Sequence, residues 1–108
     1  MKKPLEIRFL GLDASDALET AAREKAAKLE QFCADITSCR VTIDAEHRHK
    51  HQGHPFSVRI DLTFPGHELN VDRVQNEDAY VALRDAFDAM KRKLEETIRR
   101  TQDKQHGR

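Results

Sequence analysis

The chain has 108 residues, enough for one domain with a single modest core and too few for two. Lysine plus arginine and aspartate plus glutamate number 19 each, so the formal charge is zero and the strongly basic total of many nucleic-acid binders is absent. No stretch approaches the roughly 20 apolar residues of a membrane helix, and Met1 to Leu10 lacks the apolar centre of a secretory signal, so a cytoplasmic location is expected.

Leu5, Ile7 and Phe9 alternate with Glu6 and Arg8, predicting a first strand that ends at Gly11. Ser15 then stands as an N-cap, and Leu18, Ala21, Ala22, Leu29, Phe32 and Cys33 carry helical spacing. Cys39, Val41, Ile43 and Ala45 alternate with polar neighbours as a second strand. Phe56, Val58, Ile60, Leu62 and Phe64 do the same as the clearest strand in the chain. Pro65-Gly66 marks a tight turn, and a short fourth strand is expected over His67 to Val71. Cys33 and Cys39 lack CxxC spacing and are expected as free thiols.

The longest element is a helix predicted over Asn76 to Arg100. Tyr80, Leu83, Phe87, Met90, Leu94 and Ile98 recur at steps of three and four as its apolar stripe, which places Tyr80 in the core. Asn76 is the expected cap, with Glu77 and Asp78 at the positive end of the helix dipole. From Arg84 to Arg108 there are eight basic residues against five acidic ones, a local excess that the neutral total conceals. Residues 1–102 are read as one domain and 103–108 as a flexible basic tail.

The order β-α-β-β-β-α, with every strand alternating, predicts an α+β two-layer sandwich. A four-stranded mixed sheet would carry both helices on its apolar face, in a dsRBD-like arrangement. The first two strands, joined through a helix, should run parallel with a right-handed crossover, and the later hairpins antiparallel.

Several functions are disfavoured. Phe9, Phe56 and Phe64 all fall on the apolar set of the strands, so the outer sheet face offers no platform for stacking bases. GxxxxGK[ST], GxGxxG and GxSxG are all missing, and no cofactor or catalytic group is indicated. The helix carboxylates are expected in ion pairs, Asp88 with Arg92, Lys91 with Glu95 and Arg92 with Glu96. A histidine cluster, His47, His49, His51 and His54, interleaves with Arg48 and Lys50. On a continued strand the first three share a face and could reach one metal ion. The adjacent cations and the missing carboxylate or thiol ligand favour a polar loop able to touch phosphate.

Ser15 to Phe32, closing on Lys28-Leu29-Glu30-Gln31-Phe32, and Glu77 to Leu94, with Asp78-Ala79-Tyr80 and Lys91-Arg92-Lys93-Leu94, resemble the two helices of a known family. It is that of the ribosome hibernation promoting factors and ribosome-associated inhibitors, the S30AE-type ribosomal subunit interface proteins. The resemblance covers nearly the whole chain. It implies a non-enzymatic protein that binds the small ribosomal subunit in the channel for messenger and transfer RNA, contacts 16S ribosomal RNA and inhibits translation in stress or stationary phase. Lys25 and Lys28 match basic positions of the first helix, and Arg92 matches the arginine of the second-helix signature. Lys91, Lys93, Arg99 and Arg100 join them as candidate RNA contacts on charge alone. Ala89 stands where the family typically has lysine, and Glu95 and Glu96 make the next turn more acidic than usual. For Arg84 and Arg59 a solvated surface is the reading. The chain stops at Arg108 and so resembles the family's short form. It is expected as a monomer with no membrane or DNA partner. The alternatives from the residues themselves are a metal-binding histidine loop and a protein–protein adaptor using the polar sheet face.

Overall fold

The computed structural model describes residues 1–45 and 55–106, with side chains as far as residue 102. The histidine cluster at 47–54 lies outside the described residues. The elements are β1 (Glu6–Leu10), α1 (Asp16–Phe32), β2 (Ser38–Asp44), β3 (Phe56–Phe64), β4 (His67–Asn76) and α2 (Ala79–His106). The four strands form one sheet in the order β1-β2-β3-β4, with β1 and β2 parallel and the other pairs antiparallel. This is the α+β sandwich that the alternation predicts.

Register turns that alternation into a core. Ile7, Val41, Ile60 and Val71 are neighbours in one row across the sheet, and Phe9, Ile43, Val58 and Val74 form the next. Val71 and Val74 are three residues apart, so strict alternation would send one of them to water. A bulge prevents this. Between the pairs Val58–Val74 and Ile60–Val71, Arg59 faces both Asp72 and Arg73, and Arg73 takes a left-handed φ of 56°. β4 therefore runs to Asn76 instead of ending at Val71, because the sequence pattern breaks where the bulge repairs it. A second left-handed residue, Gly66 with φ 82°, closes the β3–β4 turn after Pro65.

Against these rows pack Leu18, Ala22, Ala26 and Leu29 of α1, and Ala79, Ala82, Leu83, Ala86, Phe87, Met90 and Leu94 of α2. Ile36, in the α1–β2 connection, is fully buried although it belongs to no periodic pattern. The buried stripe of α2 is rotated from the one the large side chains suggest. Alanines at 79, 82 and 86 bring the helix close to its neighbours, and Tyr80 is left 48% exposed. Tyr80 is thus a surface residue, not a core one. Phe32 is likewise 39% exposed at the end of α1.

The caps also differ from the sequence reading at one end. Ser15 caps α1 as expected, its hydroxyl accepting from the Leu18 amide at 3.2 Å. For α2 the cap is Asp78, whose carboxylate accepts from the amides of Tyr80 at 2.8 Å and Val81 at 3.4 Å. Asn76 instead orders the preceding turn by accepting from the Asp78 amide. α2 continues past Arg100 to His106, through most of the stretch read from sequence as a tail. Cys33 and Cys39 are both buried and unpaired. Among the described residues no helix is long and apolar enough to cross a membrane.

Candidate nucleic-acid interface

Two charged surfaces result from this fold, and they differ in how their charges are used. On the outer face of the sheet, neighbours along one strand and across adjacent strands neutralise one another. Arg40 and Arg8 reach Glu6 at 3.3 and 3.4 Å, and Arg59 is held between Asp61 at 2.9 Å and Asp72 at 3.3 Å. The hydrogen bonds that Arg59 donates to the Asp61 carboxylate hold its guanidinium still more firmly in its charged form. A hollow of about 860 Å³ lies on this face, and Glu6, Arg40, Arg59 and Asp61 line it. Its two arginines already have carboxylate partners, which leaves Lys3 as the cation of its lining that is unpaired among the described residues.

The helical side is different. Of the candidate residues, Lys25, Lys28, Arg92 and Arg99 have no ion-pair partner among the described residues. The expected pairs Asp88–Arg92, Lys91–Glu95 and Arg92–Glu96 are not formed, and Glu96 instead lies 3.7 Å from Arg100. Asp88 and Glu95 are left exposed and unpaired, as are the two lysines and two arginines. Exposed pairs of this kind contribute little to stability, so leaving them unmade costs the fold little.

The remaining candidates are partly committed. The Lys93 ammonium donates to the Asn70 carbonyl of β4 at 2.6 Å, so it ties α2 to the sheet edge instead of standing free. Lys91 sits over the Phe32 ring, 5.4 Å from its centroid, joining the two helices by a cation–π contact. Lys28 and Phe32 are one turn apart on α1, so Lys25, Lys28 and Lys91 follow one seam between the helices.

At the start of that seam is a shallow cleft of about 340 Å³, lined by Ala21, Glu24, Lys25, Lys28, Tyr80, Val81 and Arg84. Its lining holds three cations and one carboxylate. Arg84, read from sequence as an ordinary solvated residue, is brought beside the α1 lysines, and its guanidinium is shared with Asp85 at 3.1 Å. Arg92 and Arg99 are seven residues apart and so share the outer face of α2 beyond the seam. The sequence-predicted residues therefore divide: Lys25, Lys28 and Lys91 come together, Arg92 and Arg99 form a second exposed group, and Lys93 is engaged in the fold.

Among the described residues no cluster of histidine, cysteine, aspartate or glutamate could hold a metal ion. Cys39 is a buried free thiol. Burial, followed by the nearby charges of Asp61 and Glu30, pushes its pKa up to about 12, which keeps it protonated and unreactive.

A family model described as Sigma 54 modulation protein / S30EA ribosomal protein matches residues 5–104. Among solved structures, the chain is similar to a ribosomal subunit interface protein from Coxiella burnetii, with a TM-score of 0.74 and 15% identity over 86% of this chain and 94% of that one. It is also similar to the N-terminal domain of Thermus thermophilus Protein Y, with a TM-score of 0.70 and 18% identity over 85% of this chain and 94% of that one. No curated protein matches by sequence. At these identities the structural likeness speaks for the fold.

Proposed function

The chain belongs to the Sigma 54 modulation protein / S30EA ribosomal protein family, and from that premise we propose that it binds the small ribosomal subunit through 16S ribosomal RNA and inhibits translation by occupying the channel for messenger and transfer RNA. The observation that carries this reading is the asymmetry of charge use. Arg8, Arg40 and Arg59 on the sheet face have carboxylate partners, whereas Lys25, Lys28, Arg92 and Arg99 on the helices have none among the described residues. Unmatched lysine and arginine at a protein surface release counterions when they meet phosphates, which is the sequence-independent source of affinity for RNA. Structured RNA is recognised mainly by shape and backbone, so spaced cations on two rigid helices suit it better than a catalytic cleft would. On this reading the protein acts by occupying space and has no substrate.

Co-sedimentation with purified small subunits, together with a cell-free translation assay, tests the proposal. Stoichiometric binding that displaces messenger or transfer RNA and lowers protein synthesis is the expected result. A chain that stays in the supernatant at low salt is incompatible with it.

A further inference from the structure

We infer that Tyr80 is a stacking platform for one unpaired nucleotide base, whose flanking phosphates are held by Lys25, Lys28 and Arg84. This rests on the RNA-binding reading above and names a subsite within it. Among the described residues three large apolar side chains are exposed, Leu10, Phe32 and Tyr80. Leu10 lies at the end of edge strand β1, away from the helices. Phe32 has its ring covered by the Lys91 ammonium. Tyr80 lines the basic cleft with no cation or second ring over it and no partner for its hydroxyl among the described residues.

Its backbone is fixed by the Asp78 cap, which holds the Tyr80 amide at 2.8 Å, so the ring is presented from a rigid helical turn. The Tyr80 side chain is not part of the buried core and leaves nearly half its surface in water beside three cations. An aromatic face next to lysine and arginine is the combination that binds single-stranded nucleic acid, the ring stacking a base while the cations track the backbone. A base-paired nucleotide could not present its face to the ring, so the ligand class is an unpaired nucleotide such as a bulge, loop or strand end.

Tyr80 is the only tyrosine and the chain has no tryptophan, so its emission reports this subsite alone. The test titrates the intact protein at low salt with a single-stranded oligouridylate, a duplex of equal length and inorganic polyphosphate. Affinity for labelled oligouridylate is measured in parallel for Y80A and Y80F. The expected result is saturable quenching by the single strand only, a loss of affinity of about tenfold or more in Y80A, as for one base–aromatic stack, and near wild-type affinity in Y80F. Equal quenching by polyphosphate, or unchanged affinity in Y80A, would overturn the inference. Small-subunit co-sedimentation separates the two readings. Wild-type binding to the subunit without Tyr80 quenching sinks the stacking subsite alone. Quenching without subunit binding keeps the subsite and sinks the ribosomal assignment.

Discussion

Replacing Lys25, Lys28 and Arg92 with alanine should flatten the salt dependence of small-subunit binding, and the structure sets the size of the effect. None of the three has an ion-pair partner among the described residues, so their loss removes phosphate contacts without breaking a contact that holds the fold. Each phosphate contact contributes about 0.7 to 0.9 to the slope of log K against log salt, so the triple variant should lose roughly 2 to 3 of that slope. Between about 50 and 200 mM salt, wild-type affinity should then fall about 20- to 40-fold further than that of the variant. The control removes the same number of charges from the opposite surface, as R8A/R40A/R59A, where each arginine is ion-paired within the sheet. Binding isotherms at four or five salt concentrations, with thermal melts to confirm folding, decide the matter. Parallel slopes for wild type and helix variant, or an equal drop in the sheet variant, refute the argument that unmatched helical charge makes the contact.

Further expectations concern the fold. Leu83 is fully buried between the layers, so Leu83→Ala should lower unfolding free energy by about 2–5 kcal/mol in chemical denaturation. Removing either helix cap, by Ser15→Ala or Asp78→Ala, should cost about 0.5–2 kcal/mol, read as a shift in denaturation midpoint without a change in slope. Cys39 has a folded pKa of about 12, above its ordinary value of 9.0, so the unfolded chain releases this proton first as pH rises. Its contribution to stability is complete below about pH 9 and is lost by about pH 12, at up to about 1.4 kcal/mol per pH unit between. Denaturation of wild type and Cys39→Ala across that range should show a pH dependence that the variant lacks. A constant difference between the two would count against burial as the cause.

Much of this architecture was legible in the one-dimensional pattern. Alternation at 39–45 and 56–64 identified strands, because in a sheet packed on one side the period of side-chain direction is also the period of burial. The two amphipathic helices and the Ser15 cap follow from equally local rules. Less was legible in the site. Lys25 and Lys28 could be picked out as exposed cations, but Arg84 looked ordinary, since nothing in a sequence says that residues some sixty positions apart will line one cleft. The only sequence signal for it is its one-turn spacing from Tyr80, which the apolar stripe places in the core.

The sequence by itself therefore determined the element types, their order and the apolar face of each, all of which depend on neighbours within a few positions. Tertiary packing decided what depends on distance in space. It extended β4 through the bulge at Arg73, because Val71 and Val74 both had to reach the core. It turned α2 onto its small alanines, because close approach buries more than a large ring at the helix edge, and so left Tyr80 in water. It also gave Arg8, Arg40 and Arg59 of the sheet carboxylate partners and left Lys25, Lys28, Arg92 and Arg99 of the helices without any among the described residues, because side chains on one sheet face sit side by side while charges on a helix face can remain solvated. These three outcomes together make the candidate interface.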